Sequence, residues 1–326
     1  MNKGNACSVL VIGSRGSRLA LTQTKFIQAG IRQIAPEIET RIEIIKTSAD
    51  KDVVTSLRES GGAGVFVKEL ERALSRGEID LAVHSMKDVP TAIEDGLRIA
   101  AVSEREDARD ALIINHNVHN ETSGSKIENQ KIKIGALSFG ARVGTGSFRR
   151  QAQILALRPD LRILDIRGNI DTRIRKMENG EYDAVALATA GLRRLGLDNR
   201  ISYTLSYDEM LPAPGQGALA IEVRADDAFT NEIAEKLHHP QTALAVTAER
   251  DFLELLGGGC NVPIAVYARV RDNTLEMDAL AASPDGKRVV RDKSSGDSRK
   301  SDEICTELAE RILAAGGFEI LHEFRR

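Results

Sequence analysis

The order of apolar runs along the chain predicts an α/β protein with a smaller α+β domain toward its C-terminal end. Three observations carry this. Short β-rich runs alternate with helix-spaced segments and glycine loops from Cys7 to Val83. A second alternation of the same kind starts near Ala111. The last third breaks that rhythm, with a long amphipathic segment, three successive strand-like runs and a closing helix.

The first alternation opens with a strand over Cys7 to Ile12, ending in a Gly-Ser-Arg-Gly-Ser turn. Helical spacing over Leu19 to Ile34 stops before Pro36, and Arg41 to Ile45 reads as a strand. Gly61-Gly62-Ala63-Gly64 is a loop leading to a helix over Val65 to Ser75. Ile79 to Val83 is a compact strand running into His84-Ser-Met-Lys-Asp-Val-Pro90. Strand, loop, helix, strand is the order of a parallel sheet, whose ligands sit beyond the carboxyl ends of strands. Arg15 and Asp88 both fall at such ends.

In the second alternation, strands are expected at Ala111 to Ile114, Ile132 to Ala136, Leu161 to Ile166 and Ala184 to Ala188. Helices are expected at Phe148 to Leu157 and Ile170 to Met177, and the polar stretch 116–130 reads as a surface insertion. The run Pro212-Ala-Pro-Gly-Gln-Gly217 is a hinge before a buried strand over Ala218 to Val223. The last third has a helix over Gln241 to Leu256, ended by three glycines. Strands follow over Ile264 to Val270, Leu275 to Ala281 and Arg288 to Arg291, then a helix over Asp302 to Ala315.

Composition narrows the function classes. The 326 residues carry a net charge of −3 and only 4% aromatics without Trp, which argues against a nucleic-acid binder. Three widely spaced cysteines exclude a disulfide scaffold and a Cys-rich zinc site. No run is long enough to span a membrane, and the N-terminal apolar run lacks the layout of a secretory signal, so a cytoplasmic location is expected. The near-neutral charge hides a bias of 31 arginines against 14 lysines. Arginine suits bidentate recognition of carboxylate or phosphate, although a GC-rich genome produces the same bias.

Position favours recognition. Gly144-Thr-Gly-Ser147 opens a helix whose free N–H groups attract anions, with Arg149 and Arg150 just inside. Adjacent helix positions diverge by about 100°, so this pair is expected to hold two ligand carboxylates at once. Arg15, Arg167, Arg173 and Arg194 also fall near strand ends. A solvated basic face with acidic partners is the plain alternative. The loop lacks the third glycine of a dinucleotide fingerprint, and no Gly-Lys-Ser/Thr occurs, so nucleotide binding is unsupported. Asp88, stiffened by Pro90 two residues on, is placed to protonate a leaving group or stabilise a cation, or simply to pair with Lys87. His84 reads as a satisfied strand-end histidine. Cys260 follows three glycines that let a bulky group approach, which suits covalent attachment or equally a small packed residue. Cys7 and Cys305 read as core.

Taken together, these segments resemble the hydroxymethylbilane synthase (porphobilinogen deaminase) family. The matching stretches include Gly13-Ser-Arg-Gly-Ser-Arg-Leu-Ala20, His84 to Pro90, Ser147-Phe-Arg-Arg-Gln151, Arg167-Gly-Asn169, Ala190-Gly-Leu-Arg-Arg-Leu-Gly196, Pro212 to Ala218 and Gly258-Gly-Cys-Asn-Val-Pro263. They occur in the family's order and cover nearly the whole chain.

The resemblance implies two periplasmic-binding-protein-like α/β lobes, 1–105 with 216–238 and 106–215, and an α+β cofactor-attachment domain, 239–326. It implies a transferase that joins four porphobilinogen molecules head to tail with loss of ammonia, giving linear hydroxymethylbilane for tetrapyrrole (haem) synthesis. The primer is a dipyrromethane cofactor linked by a thioether to Cys260. Asp88 matches the catalytic aspartate and a cofactor ligand. Ser85, Lys87, Ser147, Arg149 and Arg150 match cofactor-binding positions. Arg15, Ser17, Arg167, Arg173, Arg194 and Gln216 match substrate-binding positions. No metal is implied, and the expected state is a monomer without nucleic-acid or membrane partners. Ala63 stands where the family usually has Lys, Gly146 where Ser is common, and 116–130 is longer than usual. The rival reading is a two-lobed protein that binds an anionic solute without chemistry.

Overall fold

The structure is a computed structural model that describes residues 9–45, 67–115, 134–257 and 262–325. Cys7, Ala63, the stretch 116–130 and Cys260 lie outside these residues. In chain order the strands are β1 (Leu10–Ser14), β2 (Thr40–Ile44), β3 (Leu81–Ser85), β4 (Leu97–Val102), β5 (Asp110–Ile114), β6 (Arg142–Gly144), β7 (Arg162–Leu164), β8 (Ala184–Ala188), β9 (Tyr203–Thr204), β10 (Leu219–Arg224), β11 (Ile264–Arg271), β12 (Thr274–Ala282) and β13 (Val289–Asp297). The helices are α1 (Arg18–Ile34), α2 (Lys68–Ser75), α3 (Phe148–Leu157), α4 (Ile170–Glu178), α5 (Thr189–Arg194), α6 (Ala228–Glu235), α7 (Pro240–Leu255), α8 (Ser301–Ile312) and α9 (Phe318–Arg325). The chain forms two compact units, Met1–Glu106 with Ala218–Thr247, and Asp107–Gly217 with Ala248–Arg326.

The first unit holds a five-stranded sheet in the order β2-β1-β3-β10-β4. β1 is parallel to β2 and β3, which sets the carboxyl ends of β1 and β3 side by side. Helix α1 starts where the Ser17 side chain accepts a hydrogen bond from Ala20 N, and it ends at Ile34, two residues before Pro36, which cannot continue a helix. Its buried residues, Gln23, Thr24, Ile27 and Ile31, lie on one side of the helix and face the sheet. Ile27 and Ile31 join Leu10, Ile12, Leu81, Val83 and Ile221 in one core. Truncating a fully buried residue such as Ile31 to Ala costs about 2–5 kcal/mol.

The second unit contains two sheets. One runs β7-β6-β8-β5-β9, with β6 parallel to β7 and β8. The other is the antiparallel meander β11-β12-β13, the α+β element expected of the last third. A mixed apolar cluster of Ala152, Leu211, Ala265, Leu280 and Ala282 joins α3 to this meander.

Three expectations need correction. Both five-stranded sheets are mixed: β10 is antiparallel to β3 and β4, and β5 is antiparallel to β8 and β9. Local spacing cannot reveal direction, because the order of partners belongs to tertiary pairing. The strand expected over Ile132 to Ala136 is instead, in its described part, a 3-10 turn at Ile134–Ala136. The strand lies later, at Arg142–Gly144. It is too short to show a period and opens on a charge, which Asp183 takes up at 2.7 Å. Strand β13 runs to Asp297, well past the expected Arg291, because it pairs along all of β12 despite its polar sequence. Strand β4 and helix α6 were not anticipated.

Candidate functional site

In the first unit, the site residues gather at the adjoining carboxyl ends of β1 and β3. Arg15 and Ser17 follow β1 directly. Ser85 closes β3 and accepts a hydrogen bond from Gln23 Nε2 at 2.8 Å, which ties α1 to this strand end. The chain then makes one 3-10 turn, Met86–Asp88, closed by Val89 N donating to Met86 O at 3.1 Å. Val89 is extended, as its following proline requires. Lys87 and Asp88 are half-buried on this turn, while Met86 and Val89 are buried on either side. The turn therefore holds two polar side chains on a short, anchored segment.

In the second unit, β6, β7 and β8 run parallel, so the residues after Gly144, Leu164 and Ala188 share one sheet edge. Ser147 caps α3, its hydroxyl accepting from Arg150 N. Arg167 donates to Asp165 at 3.1 Å and Arg173 to the Gly168 carbonyl at 2.7 Å. Gly168 has a φ of +105°, and a Cβ there would lie 2.7 Å from Thr172 Cγ2, so glycine is required at this turn. Arg194 donates to Gly217 O at 2.6 Å.

The arginine pair is arranged differently from the expectation. Arg149 and Arg150 do not diverge; their guanidinium groups meet on one carboxylate, Asp110 at the start of β5. Arg149 Nη1 donates to Asp110 Oδ2 at 2.6 Å and to Leu211 O at 2.7 Å. Arg150 donates to Asp110 Oδ1 through Nε at 3.1 Å and Nη2 at 2.8 Å, and through Nη1 to Ala186 O at 3.1 Å. Gln216 Nε2 adds a fourth bond to Asp110, at 3.0 Å, and also donates to Ala108 O at 2.6 Å. The side chains of Asp110, Arg149 and Arg150 are all buried. Burial alone would push the Asp110 carboxyl up, but the charges and hydrogen bonds of the two arginines hold it well below the usual carboxylate range. Long side chains override backbone divergence here, because a buried carboxylate needs charged partners.

Asp110 is the residue that reading the sequence missed. A signal existed: an acidic residue immediately preceding the apolar run Ala111 to Ile114 has to find a cation once that strand is buried. Cys305 is buried, as expected of a core cysteine, with its thiol pushed up to about 12 by burial, so it is a poor nucleophile.

The donor set fits a carboxylate-bearing ligand. Arg149 Nε and Thr189 Oγ1 are buried without a hydrogen-bond partner among the described residues. Both belong to segments that follow parallel neighbouring strands, β6 and β8. Asp110 answers only one of the two guanidinium charges, so the cluster keeps one net positive charge.

Comparison with known proteins gives a consistent result. Residues 10–232 match the family model described as porphobilinogen deaminase, dipyromethane cofactor binding domain, and residues 243–314 match porphobilinogen deaminase, C-terminal domain. The chain is 46% identical over 314 residues to the porphobilinogen deaminase of Trichlorobacter lovleyi, covering 96% of each chain. It is 46% identical over 318 residues to that of Thermus thermophilus, covering 97% of this chain and 99% of the relative. Among solved structures, the Bordetella pertussis BvgS periplasmic VFT2 domain is similar at a TM-score of 0.40 and 15% identity, over 70% of this chain and 86% of that one.

Proposed function

The chain belongs to the porphobilinogen deaminase family, and from that premise we propose how its residues divide the work of condensing four porphobilinogen molecules into linear hydroxymethylbilane. Each condensation releases one ammonia, and hydrolysis frees the product. The dipyrromethane cofactor, when bound, supplies the pyrrole end to which the first unit is joined.

Every pyrrole unit carries an acetate and a propionate, so the ligand accumulates carboxylates as it lengthens. Arginine guanidiniums hold such groups bidentately and fix their register. In this reading, Arg149 and Arg150, with Ser147, Ser85 and Lys87, bind the cofactor, and Arg15, Ser17, Arg167, Arg173, Arg194 and Gln216 bind the substrate and growing chain. Asp88 does the acid–base work. Its carboxyl group donates a proton to the substrate amine as ammonia departs, and its carboxylate then faces the cationic azafulvene left behind. The seat of Asp88 supports this role: a half-buried carboxyl on a short anchored turn, next to Lys87 and at the end of a parallel strand.

Cys260 carries the cofactor through a thioether. Its place within the matched C-terminal domain supports this, as does the buried, weakly acidic state of Cys305. The same reading divides the chain into 1–105 with 216–238, 106–215 and 239–326, and makes the enzyme a cytoplasmic monomer acting on a small molecule. No helix among the described residues is long and apolar enough to cross a membrane. The solute-binding alternative is not favoured, because the family match extends through the cysteine-bearing domain.

The observation that carries the proposal is the alignment of Asp88 and the arginines with the carboxyl ends of parallel strands, in a chain of this family. Intact-mass spectrometry with peptide mapping tests it. The expected result is a covalent two-pyrrole addition on the Cys260 peptide. An active enzyme with an unmodified Cys260 overturns it.

A further inference from the structure

We infer that Asp110 is a positioning residue for cofactor loading, acting through Arg149 and Arg150 rather than by touching the ligand. The inference rests on the reading of those arginines as cofactor ligands.

Four hydrogen bonds converge on this carboxylate, from Arg149 Nη1, Arg150 Nε, Arg150 Nη2 and Gln216 Nε2, at 2.6–3.1 Å. Both oxygens are used, and the Asp110 side chain is 0% exposed, so the carboxylate has no surface for an outside ligand. Its effect on a ligand is therefore indirect. Arginine side chains have several rotatable bonds, and an unheld guanidinium loses much of its freedom on binding. Here that loss is already incurred during folding. Asp110 fixes the planes of both guanidiniums, while Leu211 O and Ala186 O hold one nitrogen of each. Arg149 Nε stays buried and without a partner among the described residues. The cluster is thus rigid, desolvated and still one charge positive, the condition in which a carboxylate is bound most strongly per hydrogen bond. Without Asp110, two like charges would face each other in a buried site, and the pair would lose both its geometry and its tolerance of burial.

The experiment compares full-length wild type, Asp110→Asn, Arg149→Leu and the Asp110→Asn/Arg149→Leu double variant. For each, intact mass gives the fraction of folded protein bearing the two-pyrrole group, and thermal melting reports the fold. The expected result is at least a tenfold lower loaded fraction in folded Asp110→Asn. The double variant removes the facing like charge and leaves Arg150 alone with the cluster's wild-type net charge, and so keeps the inference testable if the single Asp110 variant does not fold. It is expected to load at least tenfold less than Arg149→Leu, because Arg150 is no longer held. Equal loading of the double variant and Arg149→Leu overturns the inference, as does wild-type loading of folded Asp110→Asn at a lowered melting temperature. Wild-type loading of Arg149→Leu beside a failing Asp110→Asn also overturns it, since Asp110 would then act by another route. A wild-type chain that carries no two-pyrrole group is a separate outcome: it removes the underlying reading itself, whatever the variants do.

Discussion

His84 Nε2 lies 2.9 Å from Glu222 Oε2, and both side chains are buried, at 4% and 0% exposure. The pair bridges neighbouring antiparallel strands, β3 and β10, one residue before Ser85 and four before Asp88. It braces the strand end that carries the proposed acid–base group. Replacing Glu222 with Ala leaves a buried ring nitrogen without its partner and should cost about 1–3 kcal/mol of stability. Chemical denaturation measures this, and a loss below about 0.5 kcal/mol, the range of an ordinary surface substitution, would show that the pair braces nothing.

Glu71 is buried beside this pair. Burial, then the nearby negative charge of Glu222, raises its carboxyl above the ordinary 4.5. A raised carboxyl pKa means that the folded state prefers the protonated form. The resulting stability is complete below 4.5 and is lost as pH rises through the folded value. Glu71→Gln should therefore gain stability relative to wild type at pH 8 but not at pH 4. Melting curves across that range settle the point, and a difference independent of pH would refute it.

Asp110 has the opposite sign. Its folded pKa is depressed by Arg149 and Arg150, so its contribution is present above the ordinary value of 3.8 and is lost as pH falls below it. Wild type should weaken between pH 5 and 3 more steeply than a folded variant carrying Asn at this position. Parallel slopes in acid titrations followed by circular dichroism would remove Asp110 from acid unfolding.

Gly286 sits in the β12–β13 turn with a φ of +71°, and a Cβ there would fall 2.4 Å from Ala156 N and 2.6 Å from Ala152 O. These are backbone atoms of α3, the helix whose first turn carries Arg149 and Arg150, so they cannot swing aside. Gln151 Nε2 donates to Pro284 O beside them, at 3.1 Å. Gly286→Ala should strain the turn and push it off the helix, destabilising by about 1–3 kcal/mol. Faster proteolysis within 283–288 is the expected signature; unchanged stability and cleavage would mean that the helix gives way at no cost.

Asp88→Ala should lower turnover by about 100- to 10,000-fold, the range for loss of a general acid, with the circular dichroism spectrum unchanged. Turnover of porphobilinogen within a factor of about three of wild type, less than one kcal/mol in barrier height, would take Asp88 out of its assigned role.

Much of this was readable along the chain. Helices α3 and α4 and strand β8 occupy the expected residues almost to the position, since each has an apolar period and a clear boundary. The site segments were legible for another reason: glycines, prolines and charges cluster where strands end, and chemistry needs those residue types there. Arg142–Gly144 was not legible, because a three-residue strand acquires its identity from the two strands beside it. Nor was the part of β13 beyond Arg291, whose polar sequence hides the pairing with β12.

By itself, the sequence determined the α/β character, the family, and which side chains stand at the carboxyl ends of strands. Those properties follow from local periodicity and from motifs read in order. Tertiary structure decided the direction of β5 and β10 and the partners of the buried charges. Arg149 and Arg150 look from sequence like two divergent anion sites; in the fold they share Asp110, some forty residues away along the chain. The reason is physical. A carboxylate removed from water must be answered by whichever cations can reach it, and only packing determines which ones do.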